Sequence, residues 1–155
     1  MCKDLATEDI YAKQKSRTSL DKCNKKQKDL NYGLENELIV LDILKKHYPS
    51  VQKTKDKYCL FDFESKSSIF ELKSRRILKD TFKDILINTT KIKCLLNNEK
   101  KGYVLFNLYD GLYKFKVTNK SLKDCDFRSG GRTDRGSCEI NDCTFIPTSL
   151  LRKIC

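Results

Sequence analysis

Glycine and proline are scarce in this chain, six and two among 155 residues. Beside 39% hydrophobic and 34% charged residues, that scarcity excludes a collagen-like, low-complexity or wholly disordered protein. No apolar run approaches the roughly 18 residues of a membrane span, because Asp42 interrupts even the greasiest stretch, Leu38 to Leu44. The start, Met1-Cys2-Lys3-Asp4, lacks the apolar core of a signal peptide, so the expectation is an intracellular protein of the cytoplasm or nucleus. There is no CxxC either. The closest of the eight cysteines, Cys138 and Cys143, have four residues between them, and without a secretory signal the thiols are expected to be reduced. Zinc held by Cys125, Cys138, Cys143 and either His47 or Cys155 is the rival reading, and the irregular spacing speaks against it. His47, the single histidine, follows Lys45 and Lys46 at a helix end, where a cation complements the helix dipole.

What the chain has in excess is positive charge. Lys and Arg total 32 against 21 Asp and Glu, a formal +11. The excess is spread: eight against five in residues 1–30, fourteen against ten in 31–100, ten against six in 101–155. An evenly basic chain of this size suits a polyanion, of which nucleic acid is the commonest. No segment reads as a basic amphipathic helix with aromatic anchors, so a membrane partner is not expected.

Along the chain, residues 1–30 read as a polar, basic, helical arm, and 31–155 as one α/β (α+β) domain. Leu34, Leu38, Leu41, Leu44 and Tyr48 recur at three- and four-residue steps before Pro49, which predicts a helix over 33–48. Two strand-like runs, 58–63 and 68–73, flank a polar turn and read as a hairpin. Residues 85–87 fit strand or helix, and Asn88 or Thr89 makes a good N-cap for a helix to about Asn97. Asp110-Gly111 between 103–109 and 112–117 marks a second hairpin. Residues 129–136 read as a flexible basic loop, and 143–154 as a strand broken at Pro147 and then a short helix.

The chemistry concentrates in the first hairpin. Residues two apart in a strand share a face, so Glu71 and Lys73 emerge together while Leu72 enters the opposite layer. The turn brings Asp62 opposite residue 70 or 71, letting its carboxylate approach that of Glu71. Two acids and a lysine in one place call for a cation, and a hard ion such as Mg²⁺ takes one or two carboxylates plus water and phosphate oxygens. An ammonium beside it can orient a water and balance charge on a phosphoryl transition state. Glu37 falls inside the leucine stripe of the predicted helix, whereas Glu35 points away from it, so Glu37 is the favoured inward acid. Arg75, Arg76, Lys91, Arg132 and Arg135 are the candidate phosphate contacts.

Glu37 on a helix, Asp62 on a strand and Glu71-Leu72-Lys73 on the next resemble the PD-(D/E)XK nuclease superfamily, with motifs over 33–73 and agreeing elements to about 117. Phe61 stands where that pattern often has proline. The resemblance implies a restriction-endonuclease-like αβββαβ core, a central mixed sheet flanked by helices. It implies an endonuclease dependent on Mg²⁺ (or Mn²⁺), in which Asp62, Glu71 and the Leu72 carbonyl hold the metal. Glu37 would hold a second ion or its water, and Lys73 would position the attacking water. DNA is the implied substrate, cut to a 5′-phosphate and a 3′-hydroxyl. The size of the chain favours recognition of DNA structure over a long sequence, and small junction resolvases of this kind suggest a homodimer. An inert nucleic-acid-binding relative is the alternative. The Lys-, Asn- and Ile-rich composition with two alanines fits an AT-rich genome such as that of a large DNA virus.

Overall fold

Phe70-Glu71-Leu72-Lys73 alternates, but Ile69 before it is apolar as well, and Ser68–Ser74 is a central strand buried on both faces over its first five residues. The computed structural model describes residues 5–56, 60–134 and 138–155, with side chains from residue 24 onward. In chain order the elements are α1 (Leu5–His47), β1 (Gln52–Lys53), β2 (Phe63–Glu64), β3 (Ser68–Ser74), β4 (Asp84–Asn88), α2 (Thr89–Leu96), β5 (Lys101–Leu108) and β6 (Gly111–Val117). They continue with α3 (Asn119–Leu122), β7 (Asp126–Arg132), β8 (Glu139–Pro147) and β9 (Arg152–Lys153). The architecture is mixed α/β, with three helices among the described residues.

A six-stranded mixed sheet runs β1-β2-β3-β5-β6-β9, and a three-stranded antiparallel sheet runs β4-β8-β7. Within the larger sheet β3 and β5 are parallel, with Glu71 beside Val104, and the chain between them makes β4 and α2. Strand alternation then sorts side chains into two cores. Phe63, Phe70, Leu72 and Leu105 pack with Val40 and Leu44 of α1 on one face. Ile69, Val104 and Phe106 pack on the other with Ile92 and Leu95 of α2 and with Ile85, Ile87 and Ile146 of the smaller sheet. Gly102 lets β5 come this close to α2: a Cβ there would stand 2.5 Å from the Leu95 carbonyl oxygen.

Several local expectations are met where local chemistry decides. Asn88 caps α2 by accepting from the Thr90 N–H at 2.8 Å, and Gly111 takes a φ of 147° in the β5–β6 turn. Residues 84–88 are extended, because Ile85 and Ile87 are buried in register with Ile146 and Thr144 of β8.

Three readings change. The helix predicted over 33–48 begins at Leu5 and runs unbroken through the boundary drawn at residue 30. Only the later part of its predicted stripe meets the sheet: Leu44 is buried with Val40, and Leu41 and Tyr48 pack beside them, while Leu34 and Leu38 are 56% and 65% exposed. Helix periodicity reports that an apolar line exists, and here there are two, of which the sheet covers one. The basic loop at 129–136 is in large part strand. β7 pairs with β8 from Asp126↔Phe145 to Arg132↔Glu139, and at Gly131 (φ 140°) any Cβ would strike the Glu139 carbonyl. Gly130 and Gly131 admit a close neighbour rather than flexibility, and residues 135–136 of the expected loop lie outside the described residues. The helix expected after Pro147 is one 3-10 turn, Thr148–Leu150, before β9. Strand β2 is Phe63–Glu64, and residues 57–59 of the run expected at 58–63 lie outside the described residues. No helix among the described residues is long and apolar enough to cross a membrane.

Candidate functional site

Pairing of Phe63 with Phe70 sets the register of the first hairpin, and the Asp62 N–H donates to the Phe70 carbonyl at 2.9 Å. Asp62 therefore stands opposite Glu71 on the α2 face of the sheet. Beyond this point the ladder opens, and the Asp62 carboxylate fills the gap by accepting the Leu72 N–H through Oδ2 at 2.7 Å. That bond orients one oxygen of Asp62 and leaves Oδ1 for other partners.

Glu71 is 2% exposed, the one buried charged side chain among the described residues. Its Oε1 lies 2.7 Å from Lys73 Nζ and its Oε2 lies 3.3 Å from Lys91 Nζ. Lys91 also donates to the Leu60 carbonyl at 2.8 Å, so the first turn of α2 reaches across to the segment before β2. Burial pushes the Glu71 carboxyl above its ordinary range; Lys73 and Lys91 pull it down and the Asp62 charge pushes it up, and burial wins. Asp62, Glu71, Lys73 and Lys91 form one electrostatic cluster.

Glu37 lies elsewhere. It belongs to α1, which packs on the Phe70–Leu72 face, and its Oε2 is 2.5 Å from Lys53 Nζ of β1. The contact is a charge pair out of hydrogen-bond alignment, since that buried oxygen has no properly directed donor. Glu35 is exposed, as expected. Among the described residues no group of three His, Cys, Asp or Glu side chains is arranged to hold a metal, which applies to the acids and to the zinc reading alike. Cys125 is buried, and burial, with Asp124 and Asp126 nearby, pushes its thiol up to about 11.

Two of the basic candidates, Arg75 and Arg132, border a cleft of about 370 Å³ that opens beside Lys73 between the two sheets, together with Asn88, Glu139 and Asn141. Arg76 turns to α1, 2.8 Å from Asp29 and with its guanidinium 4.2 Å from the Tyr32 ring centre. Arg132 bonds both oxygens of Asp134, at 2.9 and 3.0 Å, and lies 3.6 Å from Asp29. Arg135 lies outside the described residues. Sequence reasoning missed Asp29 and Lys53, the partners of Arg76 and Glu37. Each contact joins residues far apart in the chain, so no spacing signalled it. It also placed Lys91 only as a phosphate contact, whereas here it joins the carboxylates.

Compared with family models, curated proteins and solved structures, the chain matches none of them. Functional reading therefore rests on the site alone.

Proposed function

We propose that this chain is a Mg²⁺-dependent endonuclease of the PD-(D/E)XK type, hydrolysing phosphodiester bonds of structured DNA to leave a 5′-phosphate and a 3′-hydroxyl. The observation that carries the reading is the pairing of Asp62 and Glu71 on one sheet face with Lys73 on Glu71. The order α1, β1–β3, α2, β5 is compatible with the αβββαβ core, with β4 as an addition that joins the second sheet.

The donors fit one hard divalent ion: the Asp62 and Glu71 carboxylates and the Leu72 carbonyl are all oxygen ligands, within the number such an ion takes from protein. Bound there, Mg²⁺ would supply charge neutralisation at the phosphate and polarise a water. The chain's own residues do the rest. The Leu72 N–H holds Asp62 in orientation. Lys73, about a quarter exposed, moves between its ion pair and the substrate, positions the attacking water and balances charge on the phosphoryl group. Lys91, with Lys73, offsets part of the cost of burying the Glu71 charge. Glu37, paired with Lys53 on the far side of the sheet, has no part in this site. Arg75 and the cleft beside Lys73 would receive the flanking strand.

A second reading, an inert DNA-binding relative, is favoured by one feature: both Glu71 oxygens already face ammonium groups. One experiment separates the two. Supercoiled plasmid and branched DNA are incubated with wild type and Glu71→Ala in Mg²⁺, Mn²⁺ or EDTA, and binding is measured in parallel across salt. Cleavage that needs metal and Glu71 supports the nuclease. Salt-sensitive binding with no product in either metal supports the inert relative.

A further inference from the structure

Leu30, Leu34 and Leu38 are 54%, 56% and 65% exposed, at four-residue steps on one helix. At 3.6 residues per turn, and taking Leu34 as the reference direction, Leu30 lies at about −40°, Leu38 at about +40° and the half-buried Leu41 at about −20°. Val40 and Leu44, which face the sheet, lie at about −120° and −80°. The leucines thus form a second seam whose centre is turned about a quarter of a circle or more from the body of the protein. Monomeric proteins seldom leave such a continuous apolar line uncovered.

The flank away from the body carries the information about what covers it. Lys28 and Asp42 lie there, at about +120° and +80°. Both are exposed, and neither has an ion-pair partner among the described residues. If two copies of α1 pack antiparallel about a twofold axis near residue 35, like flanks meet. Lys28 then faces the partner's Asp42 and Asp42 faces the partner's Lys28. The same axis stacks Leu34 on the partner's Leu34 and sets Leu30 between the partner's Leu38 and Leu41. Both bodies then lie on the flank opposite the Lys28–Asp42 pairs. Glu35, at about +100°, meets its own copy unfavourably.

We propose that the leucine seam of α1 is the interface of an antiparallel homodimer, its register set by two Lys28–Asp42 pairs. Three exposed leucines per copy, with Leu41 at the edge of the protein's own core, place it at the small end of protein interfaces, so the dimer is a reversible one of micromolar strength. The inference is independent of any nuclease activity.

The test is sedimentation equilibrium of the full chain, with reductant to keep the cysteines as thiols and without DNA, from low to high micromolar concentration. Wild type should move from monomer to dimer. Leu34→Asp should remain monomeric with an unchanged circular dichroism spectrum and melting temperature, since the side chain is already exposed. Lys28→Asp and Asp42→Lys should each weaken the dimer about tenfold, and the double swap should restore it, because the pairs are exchanged. Glu35→Gln should tighten it. A wild type that stays monomeric, a dimer indifferent to Leu34→Asp, or a double swap no better than the singles overturns the proposal. A monomeric wild type that binds anionic vesicles, with binding lost in Leu34→Asp, would overturn it in favour of a membrane surface.

Discussion

Replacing Lys73 by Ala tests the electrostatic cluster before it tests catalysis. The substitution removes the ammonium 2.7 Å from Glu71 Oε1 and leaves a carboxylate that is 2% exposed with only Lys91, at 3.3 Å from Oε2. Breaking a fully buried pair costs about 3–5 kcal/mol, chiefly because the remaining charge stays desolvated. Two features lower that figure. Lys73 itself is 27% exposed, so part of its attraction is screened, and Lys91 still answers half of the carboxylate. The expected loss is about 1–3 kcal/mol, or a few degrees to about ten in melting temperature for a domain of this size. Urea denaturation at neutral pH measures it, and a cycle with Glu71→Gln isolates the pair: Lys73→Ala made on Glu71→Gln should cost about 1 kcal/mol or less. An equal cost in both backgrounds would refute the cluster as described. The result also governs the nuclease test, because turnover lost in Lys73→Ala is meaningful only at temperatures where the variant remains folded.

The same cluster gives a pH dependence. Burial raises the Glu71 carboxyl, so the folded protein holds this proton more tightly than the unfolded chain. As pH rises from the ordinary glutamate range through the raised folded value, the unfolded state releases the proton first, and stability contributed by this group is lost. The melting temperature of wild type relative to Glu71→Gln, in EDTA, should therefore fall across that window; a difference that rises with pH would contradict the burial of Glu71. Gly102→Ala should destabilise by about 1–3 kcal/mol, since the new Cβ would meet the Leu95 carbonyl oxygen at 2.5 Å and its Cβ at 2.9 Å, both on α2. Denaturant midpoints check it, and a neutral result would mean that α2 sits further from β5.

The features that sequence alone determined are those decided within a few residues. The Asn88 cap, the Asp110-Gly111 turn and the sorting of Glu71 and Lys73 to one face and Leu72 to the other each depend on backbone conformations that neighbouring side chains select. The juxtaposition of Asp62 with Glu71 was legible for the same reason, because a four-residue turn leaves few registers that keep Phe63 and Phe70 on one face. Tertiary structure decided everything that needed a partner distant in the chain. Which of the two apolar lines on α1 meets the sheet depends on how Val40 and Leu44 fit over Phe70 and Leu72, and periodicity weighs both lines alike. The sheet itself separates Glu37 from Glu71, since α1 covers one face and α2 the other. Lys91 comes to Glu71, twenty positions away, only because β4 and α2 carry the chain across and back between the parallel strands β3 and β5. Burial of the Glu71 charge, and with it the electrostatics of the site, follows from layers stacked by long-range packing, which no local pattern in the sequence encodes.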